Sequence, residues 1–457
     1  MSPIIEQLRE VGFAIQHRPR HPQYRLLRAK IWRMLEYPEM VASDAYKLIK
    51  LCDTITDFSE DKAGLRDTNE LNTLKKEAYE LLIRSLLTMH CVSDALGVCN
   101  EATQRYADNF KALSKEIYEA MRAQDLPYPP MASYVPHAYP TISSEYLTRS
   151  EADIDSYNAQ FKSPPLDGTC RVAPSTIAAG KPDIYGVFAT RPIPKSGLVH
   201  KESTTFLVAT GAAPAPPVAS PPHDAAAIPE VFDPNCFQVR ADALVPSALH
   251  VLLFTSFLVK CIQDKSPHPL EHPLIAGLTA SYGPATIRKF SFQQDIKDPL
   301  HLLEYLGIDI YGDLRYDMDV LLTVYQRIRN NSFEWVDRDR VEGVGPLFSF
   351  FNHSCEPNVS WRVENSGEMA VGLPPQRSII MRAERDIEEG EELFISYICL
   401  APEWDGDVPV EERRKQLMMW MGGPCQCARC VRESEAAKGM RSRLTELARN
   451  LLSGAWE

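Results

Sequence analysis

Residues 351–358 read Phe351-Asn352-His353-Ser354-Cys355-Glu356-Pro357-Asn358, and the reading of this run decides the fold. It sets a polar, turn-forming stretch between an apolar run (Leu347, Phe348, Phe350, Phe351) and a strand-like one (Val359, Ser360, Trp361). Asn352 offers an amide and His353 an imidazole, groups able to bind a heteroaromatic ring. By itself the run is equally readable as a polar turn.

Downstream, Arg382 to Tyr397 reads as a strand, a charged turn at Glu389-Gly390, and a second strand ending in Tyr397. A tyrosine at a strand end is by default core or rim. Further on, Cys425-Gln426-Cys427-Ala428-Arg429-Cys430 puts three thiols in six residues. Thiolates suit tetrahedral zinc, and a closed structural site takes four ligands. Cys355, 70 residues before Cys425, is the candidate fourth. A redox pair or reactive free thiols are the rival readings, and in a reducing compartment zinc is expected. The chain has 11 cysteines. Cys52, Cys91, Cys99, Cys170, Cys236, Cys261 and Cys399 lie singly in apolar or mixed segments and are expected to be buried small hydrophobes. No disulfide framework is expected.

Upstream, strands are expected from Gly345. A helical block precedes them: Ala248 to Ile262 is apolar nearly all round, while Leu300 to Leu306 and Val320 to Ile328 are amphipathic. Residues 212–234 carry seven prolines and read as a disordered loop or linker. From Asp183 the text is again short strands bounded by Gly and Pro. A strand-rich unit is therefore split by a helical insert. Five prolines between Leu126 and Pro140 imply an extended connector.

Before that the chain reads as helices. Leu71, Leu74, Ala78, Leu81, Leu82, Ser85, Leu86 and Met89 make one apolar stripe. Val92, Ala95, Leu96, Cys99, Ala102 and Tyr106 make a second, with Ser93 as its expected cap. Phe110, Leu113, Ile117 and Met121 make a third. Ala78 to Lys111 is similar to a tetratricopeptide helical hairpin in length, with a plain helical bundle as the alternative. The expected division is a helical domain over 1–125, a linker over 126–180, and a strand-rich domain over 181–400. That domain is interrupted by the Pro-rich loop (about 212–234) and the helical insert (about 240–328). A zinc segment over 401–432 and a C-terminal helix within 433–457 (Arg441 to Leu452) complete it.

The set NHSCEPN, GEELFISY and CQCARC, in that order, resembles the SET-domain methyltransferases. More narrowly it resembles the split SET proteins of the SET and MYND class and their fungal relatives. The resemblance covers roughly 183–200 and 325–430. It implies an α+β protein: a β-rich SET fold with a helical insert and a zinc-binding post-SET segment, preceded by an all-α domain. It implies methyl transfer from S-adenosylmethionine to a protein lysine, with Tyr397 as the catalytic tyrosine. Cofactor contacts would come from Tyr185, Gly186, Asn331 (in an Asn331-Ser332-Phe333 element), Ser349, Asn352, His353 and Tyr397. Cys355, Cys425, Cys427 and Cys430 would share one structural zinc that clamps the C-terminal segment over the active site.

The chain departs from the pattern in three places. The cofactor loop of the family carries Gly-x-Gly, where this chain reads Ile184-Tyr185-Gly186. Aromatic residues that stack on adenine normally precede the cysteine cluster, where this chain has Trp420-Met421-Gly422-Gly423-Pro424. No cysteine- and histidine-rich MYND finger is found. These departures keep a second reading open, a weak SET module acting as a protein-interaction scaffold.

With 457 residues, 44% hydrophobic and 24% charged, the composition is that of a globular protein of two or three domains. No apolar stretch reaches membrane-spanning length, so no membrane association is expected. The N-terminal MSPIIEQLREVGF lacks the apolar core of a signal peptide, which makes nucleus or cytoplasm the expected location. A net charge of -12 argues against direct nucleic-acid binding and fits a lysine-bearing protein substrate, a histone tail or a non-histone lysine equally. It fits simple solubility as well. The N-terminal helices are the expected site for a protein partner.

Overall fold

The computed structural model describes residues 2–58, 64–106, 110–123, 133–163, 168–178, 184–204, 206–209, 247–283, 286, 288–336, 340–365, 377–398, 408–421 and 423–453. The Pro-rich loop of 212–234, Cys236 and Cys399 lie outside these residues. In chain order the helices are α1 (Pro3–His17), α2 (Pro22–Met34), α3 (Pro38–Thr54), α4 (Thr68–Thr88), α5 (Val92–Tyr106), α6 (Lys111–Ala123), α7 (Glu151–Phe161), α8 (Ser247–Gln263), α9 (Asp298–Tyr305), α10 (Met318–Asn331), α11 (Val410–Met421) and α12 (Ala428–Ser453). The strands are β1 (Ser133–Tyr134), β2 (Cys170–Pro174), β3 (Tyr185–Ala189), β4 (Leu198–Thr204), β5 (Leu207–Ala209), β6 (Arg288–Lys289), β7 (Phe333–Val336), β8 (Arg340–Gly343), β9 (Asn352–His353), β10 (Val359–Asn365), β11 (Arg377–Ala383) and β12 (Glu392–Ile395).

The chain divides into two compact units. The first holds Met1–Tyr146, Ala212–His272 and Tyr282–Ile328 and is mainly helical. Proline opens α1, α2 and α3, where a missing N–H costs nothing. Asp67 caps α4 by accepting the N–H groups of Asn69 and Glu70. α5 begins at Val92, so Ser93 lies inside its first turn and not before it. The insert helices α8 and α9, with most of α10, belong to this unit and not to the strand-rich one. Charge explains part of that. Asp44 on α3 accepts from Arg25 and Arg28 of α2. Asp317, just before α10, pairs with Arg28 and with Lys47 of α3. All five side chains are buried. Such a network fixes register more than it adds stability, because burial of each ion costs several kcal/mol.

The second unit holds Leu147–Gly211, Pro273–Ser281 and Arg329–Glu457. Its sheets run β2-β3-β12-β9, β10-β11-β4 and β5-β8-β7. Within the expected linker of 126–180, residues 147–163 and 168–178 belong to this unit: α7 packs on β2, and β2 pairs with β3 from Cys170–Ala189 to Pro174–Tyr185. β12 pairs antiparallel with β3 and parallel with β9, placing Asn352 opposite Phe394 and His353 opposite Ile395. The two chemistry-bearing runs of the sequence are thus neighbours in one sheet. Val187, Phe351, Val359, Ile379, Met381 and Leu393 form the core beneath them. The C-terminal helix starts at Ala428, earlier than expected, so Cys430 sits in its first turn.

Candidate active site and thiol cluster

The sulfurs of Cys355, Cys425, Cys427 and Cys430 all lie within 4.8 Å of one another. Sulfurs on a tetrahedral zinc stand about 3.8 Å apart, given Zn–S bonds of about 2.3 Å. Cys355 and Cys430 are already 3.5 Å apart. Four convergent thiols with no disulfide among them fit a closed zinc site. As free thiols they share protons unequally. Hydrogen bonds from Cys355 and Cys425 hold Cys427 far below the ordinary thiol value, while those to Cys425 and Cys427 push Cys355 up. Arg413, buried on α11, places Nη2 3.7 Å from the Cys430 sulfur and 2.5 Å from Glu433. A cation there offsets the negative charge of clustered thiolates.

His353 links this cluster to Tyr397. Its Nδ1 accepts the backbone N–H of Tyr397 at 3.0 Å, and its Nε2 lies 3.2 Å from the Cys355 sulfur. Burial lowers its pKa to about 4, so the ring is neutral at physiological pH. The Tyr397 hydroxyl donates to the carbonyl of Phe351 at 2.9 Å, and burial pushes its pKa up. Tyr397 also meets the Trp420 ring, centroids 6.4 Å apart and planes at 72°. An aromatic group of Phe333, Trp335, Phe348 and Trp361 stands alongside, with the Trp361 indole donating to the Ser396 carbonyl.

Asn352 faces inward. Its Nδ2 has Ser175 Oγ at 3.0 Å, the Tyr185 carbonyl at 3.0 Å and Glu392 Oε1 at 3.1 Å. The buried Glu392 carboxylate also accepts from Ser175 Oγ at 2.6 Å, from the Thr176 N–H at 2.8 Å and from the Thr176 hydroxyl. The sequence reading gave the Asn352 amide and the His353 imidazole as groups able to bind a heteroaromatic ring. In this fold the Asn352 amide nitrogen and both His353 ring nitrogens have hydrogen-bond partners within the protein. Gly186 serves the same node. A Cβ there would lie 2.1 Å from Glu392 Oε1 and 3.0 Å from Asn352 Nδ2. The glycine this chain keeps is one that close approach requires.

Asn331 and Ser349 lie on the same unit. Asn331 Nδ2 donates to the Thr279 carbonyl at 2.7 Å, and Ser349 Oγ reaches the Gly345 carbonyl at 2.8 Å and the Asn331 carbonyl at 3.4 Å. The Tyr185 ring is covered by the Arg149 guanidinium, 5.7 Å from its centroid. Hydrogen bonds therefore join Asn331 to Ser349, Asn352 to Tyr185, and Cys355 through His353 to Tyr397. Sequence reasoning missed Ser175, Glu392 and Arg413. Glu392 stood inside the GEELFISY run but read as part of an acidic turn.

The SET domain family profile matches residues 184–398. A SET domain is matched over these residues, and the curated proteins similar to the chain there are named histone-lysine N-methyltransferases of the SET5 and SMYD type or SET and MYND domain-containing proteins. It is 42% identical over 85 residues to histone-lysine N-methyltransferase SET5 of Yarrowia lipolytica, covering 19% of this chain and 16% of that protein. It is 36% identical over 120 residues to histone-lysine N-methyltransferase SMYD3 of Homo sapiens, covering 26% and 24%. The matched stretches thus span a quarter or less of these relatives. A crystal structure of the SET domain of LSMT bound to lysine and AdoHcy aligns with a TM-score of 0.32 at 12% identity, covering 62% of this chain and 58% of that one.

Proposed function

We propose that this chain is an S-adenosylmethionine-dependent protein-lysine N-methyltransferase. The observation that carries the proposal is the placement of Tyr397. Its hydroxyl is held on the Phe351 carbonyl, and its backbone is held by His353, beside the strand that begins at Asn352. Names of relatives matched over the SET region support the same reading.

The donor's sulfonium methyl supplies the electrophile. What the chain must provide is alignment and a neutral amine. The Tyr397 oxygen and nearby backbone carbonyls are the groups suited to orient a polarised methyl and a lysine nitrogen. Burial at this point would disfavour the ammonium form of a lysine brought there. Tyr185, Gly186, Asn331, Ser349, Asn352 and His353 are assigned to the donor side. Asn352 and His353 would act there through their backbone groups. Cys355, Cys425, Cys427 and Cys430 would hold one zinc ion whose part is structural.

Histone tails are the proposed substrate class, in keeping with the acidic balance of the chain and the names of its relatives. A nuclear or cytoplasmic site of action accompanies this reading. Among the described residues no helix is long and apolar enough to cross a membrane. The N-terminal helices, with their α4–α5 hairpin, are proposed as a protein-docking element. The scaffold-only reading draws less support, since relatives such as SET5 and SMYD3 are named as methyltransferases. The test is labelled S-adenosylmethionine with core histones and a cell extract, using Tyr397→Phe as control. Transfer lost in that variant is expected; no transfer by the native chain, or transfer indifferent to the change, rejects the assignment.

A further inference from the structure

We propose that His353 is a positioning residue that ties the backbone of Tyr397 to the metal-bearing sulfur of Cys355. This rests on the zinc and methyltransferase reading above and adds to it a physical link between the two centres.

The geometry assigns the ring's protons. A backbone N–H can only donate, so Nδ1, 3.0 Å from the Tyr397 nitrogen, must be the acceptor. The proton of the neutral ring is then on Nε2, which points at the Cys355 sulfur 3.2 Å away. A metal-bound thiolate is the acceptor that this N–H needs. His353 is only 2% exposed, so water does not substitute for either partner.

The position in the sheet explains why a side chain is used. The parallel ladder runs through Asn352–Phe394 and His353–Ile395, and continues with the Ser354 N–H on the Ile395 carbonyl at 2.9 Å. After Ile395 the chain leaves the strand. The imidazole extends the pairing to Tyr397, where the backbone ladder has ended. Tyr397 is then held at both ends by one short segment, its hydroxyl on Phe351 and its N–H on His353. Cys355 is the one cluster sulfur that comes from this segment; the other three come from 425–430. A change at Cys355 therefore reaches Tyr397 through two hydrogen bonds. A histidine merely filling space would leave the two centres independent.

Two replacements separate the ends of the link. His353→Asn puts an amide oxygen where Nδ1 was and removes the donor to Cys355. His353→Gln puts an amide N–H near the former Nε2 and removes the acceptor for Tyr397. The protein is labelled with 15N-tyrosine, and zinc is exchanged for cadmium in each form. The Tyr397 amide resonance is expected to move on exchange in the native chain and to stay in both variants. Zinc release to a chelator should be faster by about tenfold or more in His353→Asn and close to native in His353→Gln. A Tyr397 resonance indifferent to the metal in the native chain, or one that moves equally in all three forms, overturns the proposal. Both readouts are independent of methyl transfer. An inactive native chain would therefore reject the function while leaving the link to be judged on its own.

Discussion

The Glu202 carboxylate accepts the backbone N–H of Phe348 at 2.8 Å. It also accepts that of Leu347 at 3.2 Å. Glu202 lies on β4, and these bonds cap the short turn Phe348–Phe350, which delivers Phe351 and Asn352 into the site. Glu202→Gln keeps the shape but turns an amide donor toward one N–H. A loss of roughly 1–3 kcal/mol in stability is expected. Methyl transfer should fall while metal content stays at the native level. Unchanged thermal stability would show that the turn does not need its cap.

That cap shows where sequence reading ends. The runs around Asn352, Tyr397 and Cys425 were legible because each is a local pattern with its own chemistry. Of the two strands expected between Arg382 and Tyr397, the second is present as β12 but ends at Ile395, two residues short of Tyr397, and the first lies earlier, over Arg377–Ala383. Glu392 was not legible, because its role depends on Ser175, 217 residues away in a segment that read as connector. The sorting of the insert helices was hidden in the same way. Lys47 and Asp317 are 270 residues apart, and nothing local in either marks the pair. Ser93 was misplaced by two positions because a serine in a first turn and a serine before it look alike in sequence.

Gly186→Ala should damage the donor side selectively. The added methyl would overlap Glu392 Oε1 at 2.1 Å, and the carboxylate is fixed by Ser175 and Thr176. Relief requires Asn352 or the β3 backbone to move. Overpacking of this kind costs about 1–3 kcal/mol. S-adenosylmethionine should then give a smaller thermal shift than with the native chain, measured by scanning fluorimetry. An identical shift would mean that the Glu392 node does not shape the donor site.

The thiol cluster predicts about one zinc per chain, by elemental analysis. Cys427→Ser should lose most of it, since an alcohol is a poor zinc ligand at neutral pH. Chelation of the native protein should loosen α11 and the start of α12, which meet at Cys425 and Cys430. Protection of their amides from hydrogen exchange is the readout. Native metal content in Cys427→Ser would remove that cysteine from the ligand set.

Asp319 in the helical unit carries a pH prediction. Burial and the neighbouring Asp317 raise its pKa from 3.8 to about 6. Asp317 itself is pulled well below its ordinary value: burial raises it, but Arg28 and Lys47 outweigh that. Between 3.8 and 6 the folded chain keeps a proton on Asp319 that the unfolded chain has released. Its contribution to stability is therefore complete below the unfolded value and is lost as pH rises through the folded one. Above pH 6 the buried carboxylate is charged at a cost. Asp319→Asn removes that cost and keeps the contacts, because the amide oxygen can accept the Val320 N–H and the amide nitrogen can donate to Thr141. The variant should be more stable than the native chain at pH 7, by something on the order of 2 kcal/mol. Near pH 4 the two should converge. Urea unfolding followed at both pH values decides it, and a difference that does not change with pH would show that Asp319 is ionised in the fold throughout.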